Sequence, residues 1–212
     1  MGAVESTWSS TAEALFGVQF TVDQGSLSGA TWGASALGSS LPGVLFSSAG
    51  TKSTTSPNLP ASGDYSLVFV GTMGSQAAVY GALFGHGNRD MDVVLERDGG
   101  SSNIVFQSNN EGNCPVSYTA NQPMIIIATN TAGILRNIWA VNSNGQQTSA
   151  SCSNTYSLGS GPQSIRIGES DNTNEYSNGV VSEIIYYQRV LSASEISAFK
   201  GSLCSKWLGI SC

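Results

Sequence analysis

The sequence predicts an all-β sandwich of two antiparallel sheets, closed by one C-terminal α-helix. Three observations predict it. Apolar runs of strand length recur along the chain with turn residues between them, the pattern of a sandwich. The composition is polar but neutral: 25 of 212 residues are Gly and only 10% are charged, against roughly a quarter in an average domain. Helical spacing of apolar residues is confined to the end of the chain, from Ser192 onward.

Taken in order, residues 15–22 (LFGVQFTV) alternate and stop at Asp-Gln-Gly, and 43–48 (GVLFSS) follow a Pro-Gly turn. The Ser/Thr/Pro-rich stretch 47–63 reads as a long loop holding one edge strand, because what precedes it is too short to fold alone. Residues 64–73 (DYSLVFVGTM) place Tyr65, Leu67, Phe69 and Gly71 on one face and Ser66, Val68, Val70 and Thr72 on the other. Residues 78–87 and 91–99 flank the turn GNRD, and 103–108 pair back across DGGSS. Residues 122–130 (QPMIIIATN) are nearly all apolar and make a central strand. Residues 134–145 alternate up to Asn-Gly, a hairpin signal, and 163–170 and 178–189 complete the set.

The ending has a different logic. Ser192 and Glu195 form a capping box, in which each side chain satisfies a backbone N–H of the helix start. Leu191 and Ile196 fit the hydrophobic staple around it. Ile196, Phe199, Leu203 and Trp207 then recur at steps of three and four, one apolar stripe that must lie on the sandwich. Gly209 is the stop signal.

Composition and charge exclude several classes. The chain is 40% hydrophobic, enough for a core, and carries a net charge of −6. Phosphate backbones and anionic membranes attract the opposite balance, so nucleic acid and membrane surfaces are excluded as partners. No apolar run approaches the roughly 20 residues of a membrane helix. The expected organisation is one domain over 1–212, with 1–14 a flexible N-terminal segment. Four cysteines allow three pairings. Cys204 and Cys212 are spaced to close a short loop, which leaves Cys114 with Cys152; the rival reading is four core thiols. Disulfides imply an oxidising compartment, hence an extracellular, cell-surface or virion-surface protein.

The stretch VVSEIIYYQRVLSASEISAFKGSLCSKWLGI resembles the closing segment of laminin-G-like, concanavalin A-like jelly rolls. That segment is a last strand with an acidic residue, then Y-x-R-x-L-S-x-x-E-I, then a helix. Tyr187, Arg189, Leu191, Ser192, Glu195 and Ile196 stand at the matching positions, and Lys206 with Trp207 matches its end. The entry over 32–73 is similar in order of elements. It departs where Leu45 and Ser47 replace the Arg and Asp of the family's R-F-D-G, and where NQPMIII replaces a W-H-H-V. The resemblance implies a two-sheet jelly roll, and with it a recognition module for glycans or cell-surface proteins, acting through loops at one rim and sometimes holding Ca²⁺. The resemblance also includes a minority of glycosidases and lyases, and fold alone does not choose among these.

Catalytic strings are missing. The glucanase E-x-D-x-x-E and the lyase Q-I-H do not occur, and His86 is the single histidine. Asp90, Asp92, Glu96 and Asp98 share one face of a regular strand; that row is either an acidic cleft or a solvated face. His86, Asn88 and Arg89 approach a galectin-like H-x-N-x-R with the spacing one residue short, and with Asp90 they form one candidate binding turn. The other is the turn 168–179 (GESDNTNEYSNG). There Glu169, Asp171 and Glu175 offer the hard oxygens that Ca²⁺ prefers, beside Asn172, Asn174 and Tyr176 as glycan-binding candidates. An Asn/Asp-rich turn is more simply a turn. Ca²⁺ is the one cofactor suggested. Tyr80 and Tyr118 also lie in loop-like stretches. The function expected is glycan recognition. The alternatives are a surface protein such as a capsid spike or fibre head, engaged in oligomeric assembly or host attachment, and a polysaccharide-degrading enzyme.

Overall fold

The computed structural model describes residues 30–33, 37, 43–46, 55–60, 64–75, 80–86, 93–108, 111–131, 135–153, 162–168 and 177–212. They form thirteen strands and one α-helix. The strands are β1 (Ala30–Gly33), β2 (Gly43–Phe46), β3 (Thr55–Pro60), β4 (Tyr65–Met73), β5 (Ala82–His86), β6 (Val93–Arg97), β7 (Asn103–Ser108), β8 (Glu111–Ser117), β9 (Met124–Thr131), β10 (Leu135–Asn142), β11 (Gln147–Ser153), β12 (Pro162–Ile167) and β13 (Gly179–Tyr187). The helix α1 (Ala193–Leu203) runs into a π-helical turn, Cys204–Leu208. The expected strand 15–22 and the N-terminal segment 1–14 lie outside the described residues.

The strands make two antiparallel sheets, β1-β2-β13-β4-β9-β10-β11 and β3-β12-β5-β6-β7-β8. This is the sandwich that the recurring short runs predict. The stretch 47–63 holds one edge strand, β3, as expected. Residues 78–87 yield a shorter strand than expected: β5 begins only at Ala82, and Tyr80 sits exposed in a turn.

The two central strands explain their own sequences. All nine residues of β4 are buried. Tyr65, Leu67, Phe69 and Met73 enter the core between the sheets, where Phe84, Leu95, Ile104, Phe106, Ile126 and Ile138 meet them. Val68 and Val70 face the other way, into a second core under the helix. β9 is its neighbour and divides likewise, with Ile126 and Ala128 inside the sandwich and Ile125 and Ile127 beneath α1. A strand with both faces covered reads as a continuous apolar run, which is why 122–130 does not alternate.

The capping box forms as predicted. Ser192 Oγ accepts from Glu195 N (3.3 Å), and Ser192 N donates to Glu195 Oε2 (2.8 Å). The flanking residues of the motif extend it into a latch. Arg189 grips Glu195 through Nη1 (2.9 Å) and Nη2 (2.5 Å). Ser66 Oγ in β4 donates to Arg189 O (2.8 Å) and accepts from Leu191 N (2.9 Å). Tyr187 packs on Phe199 with ring centroids 5.8 Å apart. Ile196, Leu203 and Trp207 are buried and Phe199 is half-buried, so the stripe lies down as expected. The helix does not stay α to its stop, however. It widens at Cys204, and the turn ends at Gly209, whose φ of 67° is the left-handed conformation that suits glycine.

The latch makes acid sensitivity a testable property. Arg189, then the Ser192 N–H and hydroxyl, hold the Glu195 carboxyl down to about 2. A carboxylate held below its unfolded value contributes its stabilisation above that value and loses it as pH falls through the folded one. We expect Glu195→Gln to lower the melting temperature at neutral pH and to flatten its decline between about pH 4.5 and 2. A variant curve parallel to the parent's over that window would show that the latch carries no titratable stability.

Both disulfides pair as the spacing suggested, Cys114 with Cys152 and Cys204 with Cys212. β8 and β11 are the outermost strands of the two sheets. The Cys114–Cys152 bond therefore staples the sandwich shut along one edge. The short Cys204–Cys212 loop pins the chain after the π-turn.

Candidate functional site

One end of the sandwich carries a groove of about 450 Å³ between the segment leaving β8 and the hairpin joining β10 to β11. Its first wall is Ser117–Thr119 with Gln122, and its second is Asn142 with Gln146–Thr148; Pro123, Met124, Ala140 and Val141 supply an apolar floor.

The hairpin wall is built by its own sequence, Asn142-Ser-Asn-Gly. Asn142 Oδ1 accepts from the backbone N–H groups of Asn144 and Gln146, both at 3.0 Å. Gly145 N donates to Asn142 O (3.0 Å), and Gly145 takes a φ of 76°. This is a three-residue hairpin loop with a left-handed glycine rather than the two-residue turn an Asn-Gly pair most simply suggests. The opposite wall is held from three sides. Tyr118 N donates to Ser102 O (3.0 Å), Gln122 N to Thr119 O (3.1 Å), and Asn121 N to Met73 O (2.7 Å). Asn121 accepts a φ of 62° there, which Asn tolerates better than most residues. Ser143 Oγ bridges the walls to Gln122 Oε1 (3.2 Å).

Among the described residues, no charged side chain lines the groove. Two described cations stand beside it, and both are engaged with carbonyl oxygens. Arg97 donates to Ser101 O (3.1 Å) and Gly100 O (3.0 Å), and Lys200 donates to Gln147 Oε1 (3.0 Å). Burial pushes the Tyr118 hydroxyl pKa up, and the Arg97 charge partly opposes that shift. Tyr118 is therefore a neutral phenol at physiological pH, able to donate or accept a hydrogen bond.

The described ends of the acidic turn, Gly168 and Ser177, lie at the same rim as the groove. Gly168 N donates to Leu83 O (3.1 Å), Ser177 N donates to Gly168 O (2.8 Å), and Gly179 pairs with Met73. Glu169, Asp171, Asn172, Asn174, Glu175 and Tyr176 themselves lie outside the described residues. His86 ends β5 at the far side, paired with Val93 and Ile165, so the strand end leading to Asn88, Arg89 and Asp90 belongs to the opposite rim. Those three residues also lie outside the described residues.

Of the carboxylate row, Asp90 and Asp92 lie outside the described residues, and Glu96, the one member within β6, does not stand in solvent. Glu96 is only 4% exposed, and its register partners Ala82 and Val105 are 0% and 1% exposed. Among the described residues, no group of three or more His, Cys, Asp or Glu side chains is placed to hold a metal ion. No helix among them is long and apolar enough to cross a membrane. Of the groove residues, sequence reading singled out Tyr118 alone. Gln122, Gln146 and Gln147 carried no motif, and the signal that could have found them is their position flanking two turns at one rim.

No family model and no curated protein sequence matches the chain. Solved structures share its fold at low identity. Domain 4 of AbnA, a GH43 extracellular arabinanase from Geobacillus stearothermophilus, solved in complex with arabinotriose, is 15% identical, with a TM-score of 0.60 over 83% of this chain and 82% of its own. The binding domain of Paraclostridial Mosquitocidal Protein 1 is 13% identical at a TM-score of 0.65, over 92% of this chain and 51% of its own. The CBM40 of the Ruminococcus gnavus IT-sialidase, bound to α2,3 sialyllactose, is 14% identical at 0.52, over 66% and 83%. The chain spans about half the length of the mosquitocidal binding domain.

Proposed function

We propose that this chain is an extracellular carbohydrate-recognition module of the concanavalin A-like, laminin-G-like type, engaging glycan through one rim of its sandwich. The observation that carries the reading is the groove at that rim. An apolar floor suits the C–H face of a sugar ring, and neutral amide, hydroxyl and phenol groups around it suit sugar oxygens. Solved domains of the same fold are bound to arabinotriose and to sialyllactose, which makes the reading consistent with the architecture. The two disulfides fit display in an oxidising compartment. Glu169, Asp171 and Glu175 remain the candidates for Ca²⁺.

A glycan array, run with and without EDTA, tests this. We expect binding to at least one oligosaccharide class. Binding kept in EDTA assigns recognition to the groove, and binding lost in EDTA assigns it to the acidic turn. An array on which nothing binds above background refutes the proposal.

A further inference from the structure

The orientation of the groove's amides goes further than the proposed function on which this inference rests. At each glutamine the identity of the bonded atom follows from its partner. Lys200 Nζ has only protons to give, so the Gln147 atom it meets at 3.0 Å is the carbonyl oxygen. Asn142 Oδ1 is fixed by two backbone N–H groups, so the other end of that amide, Nδ2, is the donor. The Gln146 atom it meets at 3.0 Å is then also the carbonyl oxygen. Both side chains engage their carbonyl oxygen inside the protein, and among the described residues no protein acceptor takes their N–H₂ groups. The amide group that each glutamine leaves without a protein partner is therefore its N–H₂ donor.

The geometry points to a groove that recognises an uncharged oligosaccharide by donating from the Gln146 and Gln147 amides to its ring and hydroxyl oxygens, over the apolar floor, without a metal ion. An acidic sugar fits less well. Its carboxylate would lose water in a groove lined, among the described residues, by no cation, and an unpaired desolvated charge is costly. The two neighbouring cations are held by Gly100 O, Ser101 O and Gln147 Oε1.

The test uses substitutions that keep each internal bond while replacing the groove-facing donor by a negatively charged acceptor. In Gln147→Glu one carboxylate oxygen still accepts from Lys200, and in Gln146→Glu one still accepts from Asn142. In each the N–H₂ donor becomes an acceptor. The probes are arabino-, xylo-, cello- and galacto-oligosaccharides, with uronate, sialylated and sulfated counterparts, followed by calorimetric titration of the tightest neutral binder. The expected result is binding within the neutral set that survives EDTA. Each variant should weaken it about tenfold or more, with an unchanged melting temperature. Binding confined to acidic glycans, binding abolished by EDTA, or variants that bind as the parent does would each overturn this inference while leaving carbohydrate recognition in place. No binding of any glycan by the parent protein would remove both.

Discussion

Removing the Cys114–Cys152 disulfide should lower the melting temperature by roughly 8–16 °C, the larger of the two disulfide effects. The bond closes a loop of sequence separation 38, against 8 for Cys204–Cys212. On the chain-entropy account these loops are worth about 4 and about 2.5 kcal/mol respectively. For a chain of this size each kcal/mol moves the midpoint by about 2–4 °C. Location reinforces the difference. Cys114 and Cys204 are both fully buried, but the Cys114–Cys152 bond joins edge strands of the two sheets whereas the other closes a local loop. The variant to compare is Cys114→Ala with Cys152→Ala, since serine would bury a hydroxyl. Scanning calorimetry of it beside Cys204→Ala with Cys212→Ala reads both effects. A smaller loss for the first pair than for the second would contradict the staple.

The same bond bears on recognition. One wall of the groove leaves β8 at Ser117, three residues beyond Cys114, and the other enters β11 at Gln147. The disulfide fixes the separation of the two strands from which the walls hang. A variant that folds without it should therefore bind glycan more weakly, because a wall that must be ordered on binding costs affinity.

What was legible in the sequence follows the cores. β4, β9 and β13 were evident because burial on one or both faces imposes apolar spacing. The helix was evident because capping and staple residues act locally. β8 and β11 leave little trace in the sequence, although the hairpin signal at Asn144–Gly145 implies a partner for β10. Both are edge strands, and every residue of β11 is exposed or only half-buried. Each alternates only briefly, through Cys114 and Val116 in β8 and Ala150 and Cys152 in β11, and their cysteines are the clearest trace of the core behind them. Arg136 shows the converse. Strand parity places it between Leu135 and Asn137 on the inward face with Ile138, and it is 1% exposed. Hydrophobicity alone would have sent it to solvent. Its Nε instead donates to the buried Asn130 Oδ1 (3.3 Å), and desolvation lowers its pKa while the nearby Tyr65 opposes the shift. The groove escaped notice for another reason. A binding site made of unremarkable glutamines on two turns exists only once the fold brings those turns together.

Trp207→Ala should cost about 3–5 kcal/mol, the usual range for emptying a buried aromatic site. Trp207 is 5% exposed and packs in the second core with Val68, Val70, Ile125, Ile127, Leu191 and Leu203. It is also tethered. Its Nε1–H donates to Glu183 Oε2 at 2.6 Å, and Lys206 Nζ reaches the same oxygen at 2.8 Å. Truncation leaves a cavity under the helix and leaves Glu183 with Lys206 alone. Trp207→Phe separates the two contributions, because the ring persists while the donor is gone. It should cost about 1.5–3 kcal/mol, the range for a hydrogen bond to a charged group. Urea titrations followed by far-ultraviolet circular dichroism give both numbers from midpoint and slope. Equal losses for the two variants would mean that the tether, rather than burial, holds the helix down. A loss below about 1 kcal/mol for the alanine variant would mean that α1 is an ornament on the sandwich. The central strands argue against that outcome: Val68, Val70, Ile125 and Ile127 form the outward faces of β4 and β9, and without a docked helix those apolar side chains would meet water.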